Sequence, residues 1–342
     1  GRFYYRKNKW RNSLKWFEDV DVNELEAHQV PEFYFKSAYS SYKIKDFSSA
    51  QKYFNEAKQL ESIYKSPSVF YYAFLSYKFN FNETALKGFN SLKEDENFGA
   101  IVPYYIIQIY YLQKKYDKIV EVGPSLVQTA IPKKMPEIAR IVAEGYYRKD
   151  DYVQAVKYLE IFMEKGKYAD STANYQMAYS YYKTKQWEKA IPYFQETSGI
   201  NSEIGQLSLY YLGEIYLRNE NKQAARSAFR FASKTYFNRE VKENALFSYA
   251  KLSYELDIDP YHESIIALEK YIDEFPGSSR ELEARKYLLN VYLNTKNYQR
   301  AIVALDKIES KDLEIQYAYQ KIAYYHAIQL FNNAKIGFGK KD

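Results

Sequence analysis

The chain has 342 residues, of which 46% are apolar, 49 are Lys or Arg and 43 are Asp or Glu, a formal net charge of +6. Without a single Cys it can form no disulfide, thiolate metal site or thiol nucleophile. Its longest apolar runs fall short of the roughly 20 residues that span a bilayer, and Lys133-Lys134 and Lys340-Lys341 are too short to make a nucleic-acid arm.

Aromatic residues are abundant, with 40 Tyr, 21 Phe and 3 Trp against only 12 Gly and 9 Pro. Gly1 to Val20 predicts a second helix and part of a first, as if a pair had been cut through. From there small residues recur along the chain at Ser13, Ala50, Ala85, Ile119, Ala155, Ala190, Ala225, Ser264 and Ala301, in steps of 37, 35, 34, 36, 35, 35, 39 and 37. A matching set runs through Ala38, Ala73, Ile107, Ala143, Ala178, Gly213, Ala250, Leu289 and Ala323, mostly twelve residues ahead of its partner. Four residues past each slot of the first set stand Phe17, Phe54, Phe89, Gly123, Leu159, Phe194, Phe229, Leu268 and Leu305. Such spacing puts the small and the large residue on one helical face, so that two antiparallel helices cross closely at the small slots.

Polar-aromatic pairs mark the turns at Asp46-Phe47, Lys115-Tyr116, Asp151-Tyr152, Gln186-Trp187 and Asn297-Tyr298, the polar member as a helix cap and the ring as a staple. Ser66-Pro67, Pro132, Pro136 and Pro276 to Ser279 separate successive pairs. Ile107, Ile119 and Gly123-Pro124 break the pattern in one repeat, where Gly123-Pro124 is expected to interrupt the second helix, and they predict a kink or a local change of packing there. Leu256 to Tyr261 holds two extra residues and predicts a longer loop. Tyr317 to Phe331 predicts a last first helix, followed by a tail too short to complete its partner.

The clearest repeat, Tyr175 to Ser198, reads YQMAYSYYKTKQWEKAIPYFQETS and resembles the tetratricopeptide repeat, whose signature spaces W, L-G, Y, A, F and P over about 34 residues. The resemblance extends over nearly the whole chain. It implies an all-α fold, an α-α superhelix of about eight complete hairpins from about residue 31 to 310, with partial repeats at both ends. Residues 1–342 are accordingly expected to form a single solenoid, a fragment of a longer array.

Chemistry is not expected. His28, His262 and His326 lie far apart, no glycine cluster matches a phosphate cradle, and pairs such as Asp95-Glu96 fall in turns. No cofactor, no metal and no catalytic residue are therefore expected. The family resemblance implies instead that the first helices line an inner face carrying Phe35, Tyr39, Tyr42, Phe70, Phe74, Tyr77, Tyr104, Gln108, Tyr111, Arg140, Glu144 and Tyr147, then Tyr175, Tyr179, Tyr182, Tyr210, Glu214, Leu217, Phe247, Lys251 and Tyr254. Rigid rings lose little entropy on binding and suit a protein or peptide partner. Some of them, the rings four past the small slot above all, could instead pack against the next repeat. The Tyr-rich style and Phe275 to Ser279 also resemble long repeat proteins of the Gram-negative cell envelope, which suggests a scaffold in an envelope assembly.

Two alternatives are set against this reading. Pentatricopeptide arrays bind RNA with nearly the same period, but their base-reading slots take small polar residues where this chain has rings. Lys286 and Asn290 match two slots of a carboxylate clamp, yet Lys321 stands where its next Asn belongs, so chaperone-tail capture is not expected.

Overall fold

The computed structural model describes residues 1–166, 170–256, 262–306 and 313–338, and among them it contains nineteen α-helices and no strand. Contacts divide the chain into two compact units, Gly1–Ala169 and Asp170–Asp342.

The first unit holds α1 (Arg2–Arg6), α2 (Trp10–Glu18), α3 (Val30–Lys43), α4 (Phe47–Ala57), α5 (Lys65–Lys78), α6 (Asn82–Ser91), α7 (Val102–Leu112), α8 (Tyr116–Thr129), α9 (Met135–Arg148) and α10 (Tyr152–Lys165). The second holds α11 (Ser171–Lys183), α12 (Trp187–Ser198), α13 (Glu203–Arg218), α14 (Lys222–Ala232), α15 (Arg239–Leu256), α16 (His262–Glu274), α17 (Glu281–Asn294), α18 (Tyr298–Asp306) and α19 (Leu313–Phe338). In each unit the helices pack in successive pairs, and each pair packs on the next. From α3 to α18 there are eight full hairpins, preceded by the short α1–α2 pair.

One local device ends nearly every first helix. In the turn between α11 and α12 the Lys185 N–H donates to the Tyr182 carbonyl at 3.1 Å and the Gln186 N–H to the Tyr181 carbonyl at 2.8 Å. Those two bonds close the helix end while Lys185 adopts a left-handed conformation with φ of 60°. Asn8, Lys45, Asn80, Lys114, Asp150, Glu220 and Lys296 repeat it, each two residues before a second helix begins. The caps of the second helices are mixed. Asp46 and Asp151 accept from the Ser49 and Gln154 N–H groups at 3.1 Å, as expected of carboxylates at that position. Lys115 and Gln186 make no such bond. A lysine has no acceptor to offer, and the Gln186 amide donates to Thr184 Oγ1 at 3.1 Å instead.

The small slots lie where the helices cross. All nine of the second-helix set are buried, from Ser13 to Ala301, and so are Phe17, Phe54, Phe89, Leu159, Phe194, Phe229, Leu268 and Leu305 beside them. The irregular repeat is solved by exchange rather than by a break. Ile119 fills the crossing, and the next first helix answers with Gly145, where an added Cβ would sit 2.5 Å from Ile119 Cγ2. Gly123 does the same for Val142, again at 2.5 Å. Helix α8 runs from Tyr116 to Thr129 with Pro124 inside it, so the helix is not interrupted, and the expected irregularity takes the form of a local change of packing. Pro124 has no N–H for the carbonyl four residues back, and that carbonyl, on Val120, accepts from the Tyr146 hydroxyl at 3.4 Å.

Two large polar side chains buried in the second unit are tied off. The Gln206 amide, on α13, donates to the carbonyls of Ala232, Thr235 and Asn238 at 3.2 Å each and accepts from the Asn238 N–H at 2.7 Å. Buried Lys242 pairs with Glu274 at 2.5 Å and lies 3.3 Å from the centre of the Tyr236 ring. Gly277 has φ of 76°, a conformation that favours glycine, and its N–H donates to Glu281 at 2.5 Å. The expected long loop within Leu256 to Tyr261 and the expected boundary near Ser310 lie outside the described residues. Helix α19 covers the expected 317–331 stretch and extends beyond it on both sides.

Candidate functional site

In the first unit the rings of the first helices form a connected series. On α3, Phe35 and Tyr39 stack at 6.0 Å, and Phe35 also stacks on Tyr64 at 5.1 Å. Tyr39 and Tyr42 reach forward to Tyr71 of α5, at 5.4 and 5.2 Å. On α5, Phe70 stacks on Phe98 at 4.6 Å, while Phe74 and Tyr77 each meet Tyr105 of α7 at 5.8 Å. Tyr104 carries the Lys134 ammonium 4.0 Å above its ring. Gln108 is half-buried and Tyr111 is exposed. Farther on, Glu144 accepts from Arg148 Nε at 2.7 Å, Arg140 lies 5.8 Å from the Phe162 ring, and Tyr147 meets Tyr152 at 5.7 Å.

The second unit repeats the arrangement on its own helices. Tyr175 stacks on Tyr179 at 6.0 Å, and Tyr179 and Tyr182 meet Tyr211 of α13 at 5.2 and 4.8 Å. Tyr210 packs on Phe229 at 5.8 Å, and Leu217 is exposed. Burial raises the Glu214 carboxyl above its ordinary pKa, against the pull of Arg218 and Arg280. Lys251 lies 3.5 Å from Glu283 and 5.7 Å from the Tyr287 ring, which Tyr254 meets at 5.1 Å. Phe247 stands apart from the others. It is buried against Tyr271 at 5.3 Å with the Arg280 guanidinium over it at 5.1 Å, so its ring belongs to the core.

Sequence reasoning missed the rings that join one hairpin to the next. Tyr71, Tyr105 and Tyr211 stand two residues before a small slot, and each stacks on the large ring of the preceding second helix: Phe54 at 5.3 Å, Phe89 at 4.9 Å and Phe194 at 5.6 Å. The rings four past the slot, Tyr42, Tyr77 and Tyr182, lean on these plugs. Burial raises the hydroxyl pKa of all three plugs, with neighbouring tyrosines adding to the effect. A shared offset of minus two from the slot was the available signal. Tyr5 and Trp10 were missed as well. They meet each other at 5.3 Å, and Tyr39 at 6.0 and 5.6 Å. Burial, then Tyr39 and Tyr64, pushes the Tyr5 hydroxyl up to about 12.

Among the described residues no group of three His, Asp or Glu side chains could hold a metal ion, and no helix is long and apolar enough to cross a membrane. The side chain of His262 lies outside the described residues. Residues 172–197, within the α11–α12 hairpin, match the family model described as tetratricopeptide repeat. Several solved structures of TPR proteins align with the chain, and two serve as examples. The C-terminal part of a TPR repeat-containing protein from Cytophaga hutchinsonii is 16% identical, with a TM-score of 0.44, and the match covers 70% of this chain and 96% of that one. YrrB, described as a TPR protein with an unusual peptide-binding site, is 16% identical, with a TM-score of 0.46, over 58% of this chain and 97% of that one. No curated protein matches the chain. The fold assignment rests on the helices themselves.

Proposed function

We propose, from an array of paired helices whose residues 172–197 are a tetratricopeptide repeat, that the chain is a non-catalytic scaffold that binds a polypeptide. The ring-rich faces of its first helices would make the contact. The observation that carries this reading is the exposure left to those rings. Except for buried Phe247, every predicted face residue keeps part of its surface in solvent although its neighbours pack closely around it. Rings held on rigid helices give large contact area with little entropy left to lose, and the tyrosine hydroxyls supply polar contacts at the same positions.

Panning a peptide library against the full chain tests the proposal. Peptides are expected to enrich, and to lose about tenfold in affinity when Tyr39→Ala and Tyr111→Ala are combined, with helicity unchanged. A library that yields no binder, or binders indifferent to both rings, would refute it. Filter binding to single-stranded RNA at low salt checks the pentatricopeptide-like alternative, since salt-sensitive micromolar affinity would favour RNA. Residence in the bacterial cell envelope is part of the same proposal, and fractionation of cells making the full-length protein tests it.

A further inference from the structure

Positive charge is concentrated at the start of the first hairpin, ahead of Glu18 at the end of α2, and the rest of the chain is neutral overall. Residues 1–17 contain Arg2, Arg6, Lys7, Lys9, Arg11 and Lys15 and no acidic residue, a surplus equal to the whole formal +6 of the chain. Some basic side chains of the first unit find acidic ones, as in Arg2–Glu32 at 2.7 Å, Lys36–Glu32, Lys115–Glu83 at 3.2 Å and Lys149–Asp117 at 2.8 Å. Lys9, Arg11, Lys43 and Lys45 are exposed and make no ion pair among the described residues.

Those four line one hollow, beside Trp10 and Asn12. A second hollow adjoins it, lined by Tyr5, Trp10, Phe35, Tyr39 and Tyr71, and the two share Trp10 and Lys43. No Asp or Glu lines either one. Cations therefore edge an aromatic hollow with nothing of opposite sign to satisfy them.

We propose that this double hollow takes an acidic polypeptide segment, its carboxylates against Lys9, Arg11, Lys43 and Lys45 and an adjacent apolar side chain against Tyr5, Trp10 and Tyr39. The inference rests on the polypeptide-binding reading above and names the chemistry of the partner. Ring geometry favours a peptide over a nucleic acid. Trp10 meets Tyr5 and Tyr39 edge-on, at 79° and 77°, and the Lys43 ammonium lies over both Trp10 and Tyr39, at 6.0 and 5.2 Å. A base would need an open ring face to stack upon, whereas an apolar side chain needs only the hollow. The four cations supply charge complementarity, and as exposed groups they make the binding salt-dependent.

The test uses the full chain and three short fluorescent peptides read by anisotropy. One alternates Asp and Glu with Leu and Phe, one replaces its acids by Lys, and one replaces its apolar residues by Ser. The first is expected to bind about tenfold tighter than either counterpart and to weaken as salt rises. Lys9→Glu combined with Lys43→Glu should cost about tenfold in its affinity at unchanged helicity, while Lys9→Arg with Lys43→Arg should retain it. Equal binding of the Lys-bearing peptide, or indifference to the charge reversal, overturns the proposal and leaves polypeptide binding standing. Tighter binding of single-stranded RNA or of phosphatidylserine vesicles, lost in the same charge-reversed variant, also overturns it. Failure of all three peptides together with failure of the library panning removes both readings.

Discussion

Lys185 shows how much of the repeat rests on one backbone angle. Its φ of 60° closes the end of α11 and turns the chain into α12. A side chain with a Cβ pays in the left-handed region about 1–2 kcal/mol, and here the two bonds to the Tyr182 and Tyr181 carbonyls offset that strain. Lys185→Val adds a branched Cβ to the same angle and is expected to destabilise the protein by about 1–2 kcal/mol. Lys185→Gly should be neutral or stabilising, because glycine adopts this angle freely. Chemical denaturation of the two variants checks the order; a valine variant as stable as the glycine one would show that the turn is not held by this angle.

At the scale of the helix pair, close approach is conserved while the residue that provides it moves. Ala178 and Ala190 are both buried where α11 and α12 pair, but in the irregular repeat the bulk of Ile119 is met by Gly145 on the neighbouring helix α9. An alanine at 145 would bring its Cβ within 2.5 Å of Ile119 Cγ2. Gly145→Ala is expected to cost about 1–3 kcal/mol through overpacking. Combined with Ile119→Ala, which removes the opposing methyl, it should cost clearly less than the two single changes added together, since residues in contact are coupled. Thermal melts of the four proteins measure this, and strict additivity would show that the two side chains do not meet.

For the molecule as a whole, the abundance of half-buried tyrosine predicts how it behaves in alkali. Burial, then Tyr39 and Tyr64, pushes the Tyr5 hydroxyl up to about 12, and burial, then Glu214, does the same to Tyr210; Tyr71, Tyr211 and Tyr292 are raised as well. A phenol whose pKa is higher folded than unfolded stabilises the fold in full below the unfolded value of about 10. That contribution is lost as pH rises through the folded value. Stability should accordingly fall between pH 10 and about 12, with phenolate absorbance and loss of helicity rising together. Phenolate formation complete near pH 10 with helicity intact would contradict it. In arrays of this kind each repeat touches mainly its neighbours, so the two compact units, Gly1–Ala169 and Asp170–Asp342, are expected to keep their own cores.

Periodicity in the chain was enough to locate the hairpins. The steps from Ser13 to Ala301 count helical turns, and a small side chain every 34 to 39 residues has a simple physical role, which is to let two backbones approach. Other features depended on partners far away in sequence. That Ile119 could be tolerated was settled by Gly145, and that Pro124 could sit inside α8 was eased by the Tyr146 hydroxyl. Whether a given ring is core or surface was likewise decided by tertiary packing: Phe247 and Tyr254 lie on one helix, yet only Phe247 is covered, by Arg280 and Tyr271. Spacing along a helix tells which residues share a face, because that follows from 3.6 residues per turn. What lies against the face is set by a neighbouring helix some 35 residues away, and no local pattern encodes it.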